Sequence, residues 1–277
     1  MISMNDRTMS GTFLMDRLEE VFSICGGDII DRIGTGHISP SAYDTGFVAR
    51  ISDVEGIPEF PQTLDWLVAT QRDDGSWGSD VHHEYDRFIN TLSAGIALKE
   101  REHSPESVAM AEAYMTEAIH RLEDAEEGVT SDHLVAMLMD EARRVGLSIP
   151  YEHNPHKPLG PFKKLLLSMR YVDKEHPVGH FVELLGRFPS QKRVTQNLQM
   201  PDGSIMNSTS STAASIVFDP DVARDRAYYD KLLYLRDSIV EGGGVRHFWD
   251  LDVMETAYGL YNMMRAGPPH HIISKRT

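Results

Sequence analysis

The sequence predicts an all-α protein assembled from stacked helical pairs, and three observations carry that prediction. Apolar residues recur at three- and four-residue spacing in segment after segment, whereas no run alternates apolar and polar as a half-buried strand would. Helix-start and helix-stop residues punctuate these segments. A motif also recurs: Phe60, Pro61, Gln71, Asp74, Gly75 and Ser76 return as Phe188, Pro189, Gln199, Asp202, Gly203 and Ser204, all at one offset. An internal repeat of helix plus turn implies units that bury their apolar stripes by stacking on their neighbours.

In chain order, residues 13–33 place Phe13, Leu14, Leu18, Val21, Phe22, Ile29 and Ile30 at helical spacing, interrupted by Gly26-Gly27, which predicts a broken or kinked helix. Tyr43 and Asp44 follow Ser41 at a helix start, where such a pair reads as cap and packing anchor rather than catalytic dyad. Phe60-Pro61 opens the next helix, because proline at the first position removes a donor that has no intrahelical acceptor. Asp74-Gly75 breaks it, since glycine takes positive φ without steric cost. A helix over 85–98 follows. Ser104-Pro105-Glu106 supplies a cap, a first-position proline and an acid facing the positive helix end, opening a helix to about Leu122. Thr130 or Ser131 caps the next, which stops at Gly146. Residues 151–160 are rich in Pro and His and read as a loop. His153 and His156 lack a third ligand at useful spacing, so a solvated loop is preferred to a metal site. Further helices are expected at 162–169, 180–187, 194–198, 212–217, 224–239 and 251–265.

The 277 residues suffice for one large or two moderate domains. A formal net charge of −15 argues against a nucleic-acid partner. The single cysteine, Cys25, excludes an intrachain disulfide and suggests a reducing compartment. Charges throughout the first twenty residues leave no signal peptide or acid-poor transit peptide, and no apolar run is long enough to span a bilayer. A soluble, cytoplasmic protein is the expectation.

Several segments carry a family resemblance. Gln71-x-x-Asp74-Gly75-Ser76-Trp77-Gly78 resembles the Gln-Trp motif of the terpene cyclases, whose α/α barrels tie helix ends to neighbouring turns through such side chains; Ile205 takes the Trp position in the second copy. Ser41-Ala-Tyr-Asp-Thr-Gly46-Phe47-Val-Ala is similar to a Ser-Ala-Tyr-Asp-Thr-Ala-Trp-Val-Ala segment of class II diterpene cyclases. Tyr85-Asp-Arg-Phe-Ile-Asn-Thr-Leu92 matches their Tyr-Asp-Arg-Leu-Ile-Asn-Thr-Leu. Ser208-Thr209-Ser-Ser-Thr-Ala213 has Thr209 where proline is usual, and Gly243-Gly-Val245 to Glu255 departs at Arg246, Asp250 and Met254. These matches run in the family's order from about residue 10 to 267. The resemblance implies an α/α barrel (toroid) of terpene cyclase γ/β type, with residues 51–277 forming a γ-like barrel and residues 1–50 assigned to the β-domain side. It also implies the structural roles of Gln71, Asp74, Gly75 and Trp77.

Glu123, Asp124, Glu126 and Glu127 crowd the end of a helix, the wrong sign for that end of the dipole. Read from the residues, they make either a solvated acidic turn or a site for a hard cation such as Mg²⁺, which binds through one or two carboxylates plus substrate phosphates. The resemblance implies that Glu123, Asp124 and Glu127 hold Mg²⁺ and with it the diphosphate of geranylgeranyl diphosphate. The family's catalytic acid lies in Asp-x-Asp-Asp, which is absent, as is the class I Asp-Asp-x-x-Asp; no catalytic residue is assigned. Context excludes Asp252 and Glu255 as a degenerate acid motif. The expected function is protonation-initiated cyclisation of geranylgeranyl diphosphate to a copalyl-type diphosphate, with this chain as a γ-domain fragment or subunit that needs a β-domain partner chain or a missing C-terminal half. The alternatives are a non-catalytic prenyl-diphosphate-binding or partner-complementing module, and, more remotely, an unrelated α/α barrel acting on glycans.

Overall fold

The computed structural model describes residues 39–126, 130–157, 159–170, 179–188, 191–219, 222–247 and 261. Ser39–Trp249 forms one compact unit, and residues 1–38 and 250–277 lie outside it. The helices expected at 13–33 and 251–265, with Asp252 and Glu255, fall outside the described residues, Tyr261 apart. Residues 42–49, read from the sequence as part of the N-terminal segment, pack inside the compact unit.

The helices are α1 (Ala42–Ala49), α2 (Pro61–Ala69), α3 (Glu84–Glu100), α4 (Pro105–Ala118), α5 (Ser131–Val145), α6 (Pro161–Arg170), α7 (Gln191–Leu198), α8 (Thr209–Val217) and α9 (Arg226–Ser238). No extended strand occurs among the described residues, only isolated antiparallel bridges. Nor is any described helix long and apolar enough to cross a membrane. A 3₁₀ segment, Gly179–Leu185, stands where a regular helix over 180–187 was expected. Phe181 leaves helical geometry there (φ −122°, ψ 28°), and Gly186, at φ +56°, turns the chain out.

Two layers follow from which faces are buried. All eight residues of α1 are buried, as are thirteen of the seventeen in α3 and eight of the nine in α8. A helix buried on every side belongs inside. α2, α4 and α9 bury single stripes and lie outside. The inner elements close a ring: α1 touches α3, α3 touches α5, α5 touches the 3₁₀ segment, that segment touches α8, and α8 returns to α1. α8 begins three residues earlier than expected, because the Ser208 side chain accepts from the Ser211 N–H and caps it.

The repeat seen in sequence is a turn that docks on a helix. In the first copy the Arg72 N–H donates to Ser76 O at 2.9 Å and the Gly75 N–H to Arg72 O at 2.9 Å. Met200, Ser204 and Gly203 reproduce the pattern at 2.8 and 3.0 Å. The structure adds a third copy with the same two distances, Val240 to Gly244 and Gly243 to Val240. Each central glycine is left-handed (φ +85°, +93° and +102°) and lies flush against the first turns of a helix. A Cβ on Gly75 would sit 2.4 Å from Met110 O of α4, one on Gly203 2.2 Å from Asp230 O of α9, and one on Gly243 2.2 Å from Gln62 O of α2. The turn after α9 thus docks on α2 and joins the ends of the outer layer.

Candidate functional site

The Gln-Trp side chains fasten these turns. Gln71 Nε2 donates to Gly75 O at 3.0 Å and to Ser107 O of α4 at 2.9 Å; Gln199 Nε2 makes the corresponding bond to Ala227 O of α9 at 2.9 Å. Asp74 Oδ1 accepts from the Ser76 N–H and hydroxyl, and Trp77, 1% exposed, donates Nε1–H to Leu67 O at 2.7 Å. These residues are framework.

The acidic turn lies beyond α4, which runs on as a 3₁₀ turn over Ile119–Arg121. The Tyr85 hydroxyl donates to Leu122 O at 3.0 Å and anchors the turn to α3. Glu123 and Asp124 are exposed, and neither forms an ion pair among the described residues; Glu127 lies outside them. Among the described residues no group of three or more His, Cys, Asp or Glu is placed to hold a metal ion. The neighbouring loop departs from expectation. His153 is exposed, with its ring 4.6 Å from that of His120, but His156 is half-buried and its Nε2 meets the Tyr85 hydroxyl at 2.8 Å, so that histidine is packed rather than solvated.

The motifs at 41–51, 208–213 and 243–247 meet in one place. The Ser41 N–H donates to Val245 O at 3.0 Å, the Val245 N–H to Thr45 Oγ1 at 2.9 Å, and the Thr209 N–H to His247 O at 3.1 Å. Asp44, 1% exposed, receives the Ser41 hydroxyl at 2.5 Å, the Thr209 hydroxyl at 3.1 Å and His247 Nδ1 at 3.0 Å. Asp44 therefore both supports the helix start, as expected, and pairs with a histidine 203 residues away. Burial alone would raise its pKa, but the His247 charge and these hydrogen bonds outweigh it and hold the carboxyl below its usual range. The Asp44 charge in turn raises His247 to about 9.

One residue earlier, Tyr43 turns to Glu183 on the 3₁₀ segment. Glu183 is 0% exposed and accepts the Tyr43 hydroxyl at 2.9 Å and the hydroxyls of Ser210 and Ser211 at 3.2 and 2.5 Å. Burial pushes both the Glu183 carboxyl and the Tyr43 phenol upward. Sequence reading missed Glu183. Its signal was a lone carboxylate inside Phe181-Val-Glu-Leu-Leu185, an apolar run that marks a buried face.

A second charge cluster lies at the C-terminal end of α1, where Arg50 follows the last helical residue. Arg50, stacked between Phe47 and Phe218, binds Glu100 at 2.6 Å and also Glu141; Arg144 and Arg187 complete the set, Arg187 Nε reaching Glu141 Oε1 at 3.0 Å. Burial would raise Glu141, but Arg50 and Arg187 outweigh it and hold its carboxyl at about 2. Lys164, Arg187, Met137, Leu184 and Phe188 line a small cavity beside it.

No family model matches the sequence. Individual proteins do. The chain is similar to a bifunctional diterpene synthase of Selaginella moellendorffii, at 32% identity over 84% of this chain and 27% of that protein, and to ent-copalyl diphosphate synthase 2 of Marrubium vulgare, at 30% identity over 86% of this chain and 31% of that one; both are named as chloroplastic. Among solved structures, ent-copalyl diphosphate synthase from Arabidopsis thaliana, in complex with (S)-15-aza-14,15-dihydrogeranylgeranyl thiolodiphosphate, matches with a TM-score of 0.64 and 26% identity, covering 90% of this chain and 36% of that one. The chain thus spans between 27% and 36% of the length of these proteins. Similarity over most of its length, the double-layered helical ring and the convergence of the separated motifs agree: the chain is similar to one portion of the copalyl diphosphate synthase-like diterpene synthases.

Proposed function

We propose that this chain contributes the γ-type barrel of a class II diterpene cyclase. The reaction is the protonation-initiated, isomerising cyclisation of geranylgeranyl diphosphate to a copalyl-type diphosphate, and a β-type partner supplies the acid. The observation that carries the reading is the clasp of Asp44, Thr209 and His247, which places the resemblance-bearing segments at one point of the ring. A carbocation cascade requires water to be excluded on every side, and a rigid closed barrel can furnish one wall of such a chamber. The acid must protonate an alkene, which needs a carboxyl kept neutral in a dry pocket. This sequence holds no Asp-x-Asp-Asp, so in this reading the acid comes from a β-type domain, on a partner chain or on a C-terminal half beyond these residues.

For the diphosphate we propose Mg²⁺ at Glu123, Asp124 and Glu127. The exposed, unpaired carboxylates of Glu123 and Asp124 suit a cation that uses one or two carboxylates and completes its shell with phosphate oxygens and water. When bound, the ion neutralises the diphosphate; the chain's own part is to present the turn, held by Tyr85, at the end of α4.

The test is incubation with geranylgeranyl diphosphate and Mg²⁺, followed by dephosphorylation and product analysis. The chain alone is expected to give no cyclic diterpenol, and addition of a separately produced β-domain carrying Asp-x-Asp-Asp is expected to restore it. Product from the chain alone would refute the division of labour. Glu123→Ala/Asp124→Ala should abolish Mg²⁺-dependent binding of a prenyl diphosphate analogue, and equal binding by both proteins would leave only a solvated turn. The absent acid motif also favours a second reading, a prenyl-diphosphate-binding module without turnover; substrate binding with no product after β-domain addition would select it. A tagged product of the native gene distinguishes the proposed cytosolic location from the chloroplast named for the relatives.

A further inference from the structure

The cavity beside Glu141 holds an ammonium group without a counter-ion. Lys164 of α6 is half-buried and lines this cavity with Arg187, yet it forms no ion pair or hydrogen bond with any described residue. The two carboxylates on the same walls are already taken. Glu141 binds Arg50, Arg144 at 3.1 Å and Arg187 at 3.0 Å, and Asp140 lies 3.8 Å from Arg143. With Glu100, which also binds Arg50 and Arg144, five cations meet three carboxylates here, in a chain whose formal net charge is −15. Burial lowers the Lys164 pKa, the response of an ammonium whose charged form lacks compensation. Arg187 spends Nε and Nη2 on Glu141 and leaves Nη1 without a described partner. Much of the remaining wall is apolar, from Met137, Leu184 and Phe188. At Gly186 a Cβ would stand 3.6 Å from Lys164 Nζ, so the glycine keeps side-chain bulk away from the ammonium. Every lining residue belongs to the one compact unit.

We propose that this cavity binds a small organic monoanion, a carboxylate on an apolar body about the size of a benzene ring, with Lys164 as its counter-ion and Arg187 as a second donor. The cavity measures about 200 Å³, and about 150 Å³ of apolar space admits benzene. A cationic ligand would add to the local excess of positive charge. A neutral apolar ligand would leave Lys164 unpaired and further desolvated. A dianion such as hydrogen phosphate would be repelled by Asp140 and Glu141, and its outer oxygens would face Met137, Leu184 and Phe188 without donors. A single carboxylate with an apolar body satisfies both kinds of wall. Its occupancy ties α5 and α6 to the turn at Gly186, and it involves no residue of the acidic turn or of the Asp44 clasp.

Titration of the 277-residue protein with benzoate at neutral pH, read by calorimetry and by thermal unfolding, tests the proposal. Binding should saturate and raise the melting temperature, because the ligand holds only the folded state. Benzamide keeps the shape and lacks the charge, so it should bind at least about tenfold more weakly. Benzylamine should not bind, and inorganic phosphate should not displace benzoate. Lys164→Met should weaken benzoate at least about tenfold while leaving the ligand-free protein no less stable, since it removes an uncompensated charge. Lys163→Met, at an exposed position of the same helix, should leave binding unchanged. Circular dichroism verifies that both variants fold, and the benzoate and benzamide comparison needs no variant. Equal binding of benzoate and benzamide, displacement by phosphate, or an unaffected Lys164→Met variant overturns the proposal. So does the absence of saturable benzoate binding, which would mean that water alone solvates Lys164.

Discussion

At the level of single residues, the Asp44–His247 pair makes a pH-dependent contribution whose sign is fixed by its two pKa displacements. His247 is raised from 6.5 to about 9, so its contribution is complete below pH 6.5 and disappears as pH rises through 9. Asp44 is lowered, so its contribution is complete above the ordinary aspartate value and is lost as pH falls through its folded value. Both are intact together only between roughly pH 4 and 6.5. Glu183 is raised, and its contribution likewise declines as pH rises above the ordinary glutamate value. The protein should therefore lose stability between pH 6 and 9.5. His247→Gln isolates the imidazole's share: its deficit relative to wild type should be about 2–3 kcal/mol near pH 6, somewhat below the full linkage value because the imidazole keeps 30% exposure, and should shrink toward zero by pH 9.5. Urea unfolding at the two pH values measures it, and a deficit that does not change with pH would show that the ion pair is not the source.

At the level of elements, the docked turns make a graded prediction, because a fourth turn of the same form serves as an internal control. The Asp53 N–H donates to Ile57 O at 2.9 Å and the Gly56 N–H to Asp53 O at 3.3 Å, but a Cβ on Gly56 (φ +83°) would meet nothing within 4 Å. Gly56→Ala should cost only the left-handed penalty, about 1–2 kcal/mol. Gly203→Ala adds a collision with the backbone of α9, which no rotamer can relieve, and should cost more than about 4 kcal/mol or prevent folding. Urea midpoints for the two variants decide it; similar losses would mean that the turn and α9 separate easily. The same turns show what was legible in the chain. Two copies were visible because Asp and Ser bond within them, Asp202 Oδ1 accepting from the Ser204 N–H at 2.9 Å as Asp74 does from Ser76. The third, Glu241-Gly-Gly-Gly244, keeps the backbone and drops those side chains, so the central glycine is the one identity left, too little to mark a repeat. Helix positions were legible from apolar spacing and caps. The partner of Glu183 was not, because Tyr43 lies 140 residues away and, although the apolar run marks the carboxylate as buried, no local pattern records that contact.

For the molecule as a whole, ring closure is the property most open to experiment. Each outer helix is held by the turn of a neighbour, and the last of these contacts, Gly243 on Gln62, joins the end of the described chain to its beginning. The inner ring closes at the same place, where Val245 and His247 bind Ser41, Thr45 and Asp44. A chain stopped after Ile239 keeps every described helix and loses both closures, whereas one stopped after Trp249 keeps both. An open stack of helices transmits unfolding only between neighbours, while a closed ring couples all of them, so the difference should appear in cooperativity as well as in midpoint. The 1–249 protein should unfold in a single transition with coincident fluorescence and circular dichroism curves. The 1–239 protein should show a shallower denaturant dependence and non-coincident probes, because less surface is exposed in each step. Identical midpoints and slopes for the two truncations would mean that the ring is held by α8 against α1 alone and that the turn after α9 is an ornament of the fold rather than its fastening.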